Sequence, residues 1–121
     1  MLDIILEDLE FISESIDIIE ERFVKINIPH DFVLNPDGVT LLDSIIMRLQ
    51  SIGEAVKNIN KRDPELLKKY QEVNWTDVIR FRDFVSHNYD EIDHVIVYNL
   101  CKEKLHSFKT TIEKIQRENF N

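Results

Sequence analysis

Residue types suited to phosphate and proton chemistry lie within one short stretch, Arg82-Asp83-Phe84-Val85-Ser86-His87-Asn88-Tyr89. Arg82 carries a permanent charge and a planar fork of donors that fits a phosphate. The imidazole of a histidine ordinarily titrates near pH ~6.5, which makes His87 a candidate acid or base at neutral pH. Asp83 lies four residues before His87, so on a helix its carboxylate would share a face with the imidazole and hold it by a hydrogen bond.

Spacing alone leaves two interpretations of this stretch open. Arg82 and His87 are five residues apart, which places them off a common face of a straight helix. They would line one cleft if His87 lies where the helix ends. The other interpretation is a solvated helix surface with ordinary ion pairs and a histidine near a C-terminal end.

Other kinds of catalytic site find no support in the sequence. The four histidines lack metal-ligand spacing such as HExxH, and no Glu-x-x-His pair accompanies the acidic first segment. A Gly-rich phosphate loop and a GxSxG nucleophile elbow are absent as well. The single Cys101 falls on an apolar helical stripe, where we expect a small core residue. We therefore expect no metal ion and no cofactor.

The spacing of apolar residues predicts an all-α protein, a bundle of about five helices forming one domain over residues 1–121. Apolar residues recur at steps of three and four from Leu2 to Phe23, which is typical of one helical stripe. A second row at Ile4, Phe11 and Ile18 widens this stripe. The double width fits either contact with a second chain or a helix deep within a single bundle.

Turn and cap signals place the remaining elements. We expect a loop over residues 30–38 and a second helix over residues 42–61. Asp63-Pro64-Glu65 is typical of a helix start and predicts a short third helix over residues 63–72. A fourth helix should open at Asn74 and reach His87. One last long helix should carry the apolar residues spaced between 98 and 115.

Composition and charge narrow the class of protein. Hydrophobic residues make up 43% and charged residues 31%, an ordinary balance for a globular domain. No apolar run approaches the ~18 residues of a membrane span, so no membrane partner is expected. The net charge is −8 and the acidic excess lies in residues 1–47, so composition gives nucleic-acid binding no support. One cysteine and no secretory signal pattern indicate the cytoplasm.

Three blocks of the sequence resemble the HEPN superfamily, in the form found in HepT toxins. The stretch Arg82-x4-His87-x-Tyr89 is similar to the family motif R-x4-6-H. The stretch Gln50-Ser51-Ile52-Gly53-Glu54-Ala55 resembles the helix-two signature. The helix-four block is matched by Trp75, Arg82-Asp83 and His87-x-Tyr89-x-x-Ile92-Asp93. The likeness covers most of the chain, and Asp83 fits the family's habit of a polar residue after the arginine.

This resemblance implies a metal-independent endoribonuclease, the toxin of a toxin–antitoxin system, with Arg82 and His87 as catalytic residues and Asp83 in support. RNA carries its own nucleophile in the 2′-OH, so its cleavage needs positioning, proton transfer and charge stabilisation. The resemblance also implies a homodimer that brings two motifs into one composite cleft. Its substrate would be RNA, with tRNA as one candidate.

Tyr89 is the residue through which the resemblance implies control. A partner antitoxin of the minimal nucleotidyltransferase type (MntA) would transfer AMP from ATP to Tyr89, and the anionic bulk beside His87 would repel RNA. On the residues alone, the alternative interpretation of Tyr89 is a turn residue that caps the last helix. An alternative function is a non-catalytic helical subunit that helps a partner nucleotidyltransferase bind its substrate, through the acidic first helix.

Overall fold

The computed structural model describes residues 2–120, without the side chain of Leu2. These residues contain no strand and form the helices α1 (Leu2–Phe23), α2 (Pro36–Arg62), α3 (Trp75–Asn88), α4 (His94–Glu103) and α5 (Leu105–Asn119). Short 3-10 turns cover Pro29–Phe32, Leu67–Lys69 and Tyr89–Glu91. The predicted all-α fold is confirmed for this part of the chain, and none of its helices is long and apolar enough to cross a membrane.

Helix α2 is central to the packing, because it contacts both α1 and α3. Helix α5 packs against α1, and α4 packs against α5. The first apolar row of α1 is buried at Ile5, Leu9, Ile12, Ile16 and Ile19, which confirms the predicted stripe. The second row is covered only in part, since Ile4 and Phe11 remain 40% and 36% exposed.

The start of α2 corrects the predicted loop over residues 30–38, because the helix begins at Pro36. The Asn35 side chain accepts a hydrogen bond from the Gly38 amide at 2.9 Å and so caps the helix. Pro36 occupies the first turn, where its missing N–H costs nothing. Gly38 is buried, and a Cβ at this position would overlap the Asp31 carbonyl oxygen. Position 38 therefore requires glycine for close packing and not for a turn.

The predicted third helix over residues 63–72 is wrong. Only Leu67–Lys69 is helical there, as one 3-10 turn. Two carbonyls of this segment accept hydrogen bonds from side chains: the Trp75 indole donates to the Tyr70 carbonyl at 2.9 Å, and Gln71 donates to the Lys68 carbonyl at 2.6 Å. Leu66 and Tyr70 are buried, so this segment contributes to the core without being an α-helix.

The predicted last long helix is two helices, α4 and α5, that meet at Lys104. The backbone hydrogen bonds continue across the junction, from the Lys104 amide to the Leu100 carbonyl and from the Phe108 amide to the Lys104 carbonyl, each at 3.0 Å. The junction is thus a kink, and an apolar spacing of three and four passes through a kink unchanged. The expected number of about five helices is confirmed within residues 2–120, because the division of the last helix offsets the absence of the third.

Candidate active site

Helix α3 carries the motif, and the bundle holds it at its start and its middle. Asn74 caps its first turn. The Trp75 indole donates to the Tyr70 carbonyl, and its ring meets Phe108 edge-on with the centroids 5.8 Å apart. Val85 is buried in the core. Core packing at the start and in the middle of α3 therefore contributes to the direction in which the helix presents the motif.

Arg82 faces α2 at a point of close approach between the two helices. A Cβ placed on Gly53 of α2 would overlap the Arg82 Cβ and lie 3.0 Å from its Cγ. The Cβ of Arg82 is fixed by the α3 backbone, so it cannot turn away as the end of a side chain would. Only glycine at position 53 lets α3 approach this closely, and this approach places the Arg82 side chain on α2.

Two carboxylates hold the Arg82 guanidinium. Its Nη2 lies 2.6 Å from Glu54 Oε2, and its Nη1 lies 2.9 Å from Asp83 Oδ1. Lys57 Nζ lies 3.8 Å from the same Asp83 oxygen. The hydrogen bond with Asp83 is the main cause that raises the pKa of Arg82, and the charge of Glu54 raises this pKa further. The same hydrogen bond lowers the pKa of Asp83. A guanidinium has five N–H donors, so these pairs orient Arg82 and still leave donors for a phosphate.

The predicted contact between the Asp83 carboxylate and His87 is wrong. His87 Nδ1 instead lies 2.9 Å from the backbone carbonyl oxygen of Asp83, because the carboxylate is drawn to Arg82. A carbonyl can only accept, so Nδ1 carries the proton in this geometry, and Nε2 is left to exchange protons with a substrate. Asp83 does orient the imidazole, but through its backbone.

Arg82 and His87 lie on different sides of α3. Both belong to the same helix, which extends to Asn88, and their five-residue separation turns them apart as the spacing indicated. The Arg82 side chain is only 23% exposed, against α2, whereas His87 is exposed. Asp83 connects the two, since its carboxylate binds Arg82 and its carbonyl binds His87.

Tyr89 follows α3 directly, in the 3-10 turn Tyr89–Glu91. Its hydroxyl donates a hydrogen bond to Asp43 Oδ1 on α2 at 3.0 Å, and the side chain remains 39% exposed. Burial, followed by the hydrogen bond to Asp43 and the charges of Asp43 and Asp90, raises the pKa of the Tyr89 phenol. Tyr89 is therefore accessible, protonated at neutral pH and attached to α2.

The residues set aside in the sequence analysis lie away from this site. Cys101 is buried, and burial raises the pKa of its thiol to about 12, which is unsuitable for a nucleophile. His106 is exposed beside Glu20 on α1. Within residues 2–120, no group of three or more His, Cys, Asp or Glu side chains is arranged to hold a metal ion.

Sequence reasoning assigned no role to Gly53, Glu54 or Asp43. Gly53 had a detectable signal, because an isolated glycine inside a helical pattern usually has a packing reason. Glu54 lies in the stretch that carries the family resemblance, but spacing gave no indication that its carboxylate binds Arg82. Asp43 had no signal at all, since it meets Tyr89 across 46 residues of sequence.

One helix thus carries an arginine oriented by carboxylates and a histidine oriented by a carbonyl, residue types that suit charge-stabilised and acid–base chemistry at a phosphodiester. The profile of the ribonuclease HepT-like family matches residues 5–115 of the chain. The chain belongs to this family.

Individual relatives support the same assignment. A protein of Thermococcus cleftensis named "Probable ribonuclease HepT" is 33% identical over 109 residues, which cover 90% of this chain and 93% of the relative. A Methanocaldococcus jannaschii protein named "Gamma-glutamylcyclotransferase and putative RNase" is 32% identical over 110 residues. That match covers 91% of this chain but only 46% of the relative. No solved structure gives a significant match.

The contact between Gly53 and Arg82 predicts the sign of one stability change. Gly→Ala inside a helix normally stabilises it by up to ~1 kcal/mol. Here the added Cβ meets Arg82, and overpacking of this kind costs about 1–3 kcal/mol. Gly53→Ala should therefore lower the free energy of unfolding, measured by urea titration of the helical circular dichroism. An Ala variant more stable than wild type would contradict the close contact.

The contact between Tyr89 and Asp43 predicts a change in titration. Asp43→Asn removes one of the negative charges that keep the phenol protonated, so the pKa of Tyr89 should fall. Ultraviolet absorbance of the phenolate during alkaline titration measures it, with a Tyr89→Phe variant subtracted to isolate this tyrosine. A Tyr89 pKa that is unchanged or higher in the Asn variant would show that the two side chains are apart in solution.

Proposed function

We propose that this chain is a metal-independent endoribonuclease that acts as the toxin of a toxin–antitoxin system and is neutralised by AMP transfer to Tyr89. The observation that carries the proposal is the oriented Arg82 and His87 on α3, joined through Asp83, in a chain of the ribonuclease HepT-like family. The substrate is RNA, with tRNA as one candidate. The antitoxin is a minimal nucleotidyltransferase.

The chemistry follows from the residue types. The 2′-OH of the RNA attacks the adjacent phosphorus, the bond from phosphorus to the 5′-oxygen breaks, and His87 Nε2 exchanges protons with these oxygens. Arg82 stabilises the charge that accumulates on the phosphoryl oxygens. Glu54 and Asp83 keep the guanidinium in place during this step.

One chain supplies a single histidine at the site, whereas an acid and a base are easiest to provide with two. We propose a homodimer in which two copies of the motif share one cleft. Several large apolar side chains are exposed on the single chain, among them Met47 on α2 and Phe84 inside the motif, at 55% and 45%. Burial of Phe84 between two copies would bring their motifs together.

Sedimentation at micromolar concentration should give a particle of twice the monomer mass. Phe84→Glu should shift the chain towards monomer, because a charge would have to be buried in the interface. Val24→Glu is the matched control, since Val24 is 74% exposed at the end of α1 and should not affect pairing. A monomeric wild type, or equal effects of the two variants, would remove the basis for a shared cleft.

Removal of either catalytic side chain should abolish RNA cleavage. His87→Ala and Arg82→Ala should each lower the rate by about 10²–10⁴-fold, the usual value of a proton-transfer or charge-stabilising group. His106→Ala, which changes an exposed histidine elsewhere, is the control. Asp83→Asn should reduce the rate less, because its carbonyl still holds His87. The assay follows a labelled RNA at equal helical content of all variants.

Two outcomes of this assay would contradict the proposal. Cleavage that EDTA abolishes would contradict the metal-independent proton transfer through His87. Pure wild-type chain that cuts no RNA, yet improves substrate binding by a partner nucleotidyltransferase, would establish the alternative function of a non-catalytic subunit.

Incubation with the partner nucleotidyltransferase, ATP and Mg²⁺ should add one or more AMP groups to Tyr89. The other two tyrosines are buried. The Tyr70 hydroxyl donates a hydrogen bond to Glu118, and the Tyr98 hydroxyl donates one to the Asn27 carbonyl. Tyr89→Phe should escape covalent inactivation while it still cleaves RNA, whereas Tyr70→Phe and Tyr98→Phe should be silenced like wild type. Peptide mapping that located AMP on another residue would refute this assignment.

A further inference from the structure

The Tyr89 hydroxyl and the Asp43 carboxylate form a contact that RNA cleavage does not use. The phenol oxygen lies 3.0 Å from Asp43 Oδ1 and donates its hydrogen to it. Asp43 is on α2, whereas Tyr89 lies in the turn after α3, so the folded bundle is what brings them together. A phenol whose proton already points at a carboxylate is arranged to lose that proton when its oxygen reacts.

We propose that Asp43 is the general base for AMP transfer, the group that accepts the phenol proton as Tyr89 attacks ATP. This inference rests on the AMP transfer proposed above and adds that the toxin chain itself supplies a catalytic residue for its own inactivation. The antitoxin would then need to supply only the nucleotide, its metal ion and the alignment of the phosphates.

The Tyr89 oxygen forms a bond to the α-phosphorus of ATP, and the bond from that phosphorus to the bridging oxygen breaks. Pyrophosphate leaves with the electron pair of that bond. The phenol proton moves to Asp43 Oδ1 and later passes to water, which restores the carboxylate.

A base is needed because burial, Asp43 and Asp90 raise the pKa of the phenol and keep it protonated at neutral pH. The phenol oxygen becomes far more acidic as it bonds to phosphorus, so the proton moves during the attack and not before it. The hydroxyl oxygen keeps its lone pairs while it donates to Asp43. Tyr89 is 39% exposed, which leaves a path for the phosphorus.

Asp90 offers a control on the same turn. It is adjacent to Tyr89 in sequence and contributes negative charge to the phenol, but it is Asp43 that accepts the hydrogen bond. A purely electrostatic influence would therefore be expected from both carboxylates. Proton acceptance is expected from Asp43 alone.

The first experiment measures the rate of AMP transfer to Tyr89 from α-labelled ATP by the partner nucleotidyltransferase. Asp43→Asn preserves an oxygen that accepts the phenol hydrogen bond but replaces a base by an amide. The rate should fall on the order of 10²-fold, the value of a general base. Asp43→Glu should restore part of the rate, and Asp90→Asn should leave it unchanged. Peptide mapping confirms the modified residue in each case.

The second experiment needs no partner. Diisopropyl fluorophosphate phosphorylates a tyrosine when the phenol oxygen bonds to phosphorus and fluoride leaves, with the proton again passing to a base. Tyr89 is the exposed tyrosine and Tyr70 and Tyr98 are buried, so the rate of labelling at Tyr89 is compared between variants: Asp43→Asn should lower it and Asp90→Asn should keep it.

The outcomes separate this inference from the proposed function. If Asp43→Asn accepts AMP as fast as wild type, the contact is only structural and the role of Asp43 is refuted, while AMP transfer to Tyr89 stands. If wild type takes no AMP on Tyr89, the proposed transfer is wrong and the role of Asp43 in it falls too. Equal labelling of Tyr89 by the reagent in wild type and Asp43→Asn would also refute the base.

Discussion

The close approach of α3 to α2 at Gly53 is the constraint on which the rest of the site depends. The Arg82 side chain packs directly on the backbone of Gly53, because the Cβ of any other residue at position 53 would overlap the Arg82 Cβ. That approach brings the guanidinium to Glu54 and, through it, fixes the carboxylate of Asp83. Because the Asp83 carboxylate is bound to Arg82, His87 binds the backbone carbonyl of Asp83 instead.

Helix α2 thus binds Arg82, Ser86 and Tyr89 of the motif, in addition to its place in the core. Near one end it presents Asp43 to Tyr89, and further along it presents Glu54 to Arg82. Between these points Gln50 donates to the hydroxyl of Ser86 on α3 at 2.9 Å. Arg82 and the proposed regulatory tyrosine are therefore held by the same helix, so a change in the approach of α2 and α3 would affect both.

Local patterns in the sequence predict the parts of this architecture that depend on local physics. Periodicity predicts the apolar stripe of α1, and cap signals predict the start of α3 at Asn74. The end of α3 after His87 follows in the same way. The kink at Lys104 does not, because apolar spacing continues through it. The helix predicted over residues 63–72 fails although its start signal is present, since the segment forms only one 3-10 turn. The contact between Asp43 and Tyr89 depends on side chains that meet across the fold. Such contacts leave no mark on local spacing.

The central claim is that Arg82 and His87 cleave RNA through the 2′-OH of the RNA itself. The most direct test places a single 2′-deoxynucleotide on the 5′ side of the cleaved bond, in an otherwise identical RNA. The account predicts that cleavage stops at that bond, and that the unmodified RNA yields a 2′,3′-cyclic phosphate and a 5′-hydroxyl. Cleavage of the deoxy-substituted bond at an undiminished rate would contradict it.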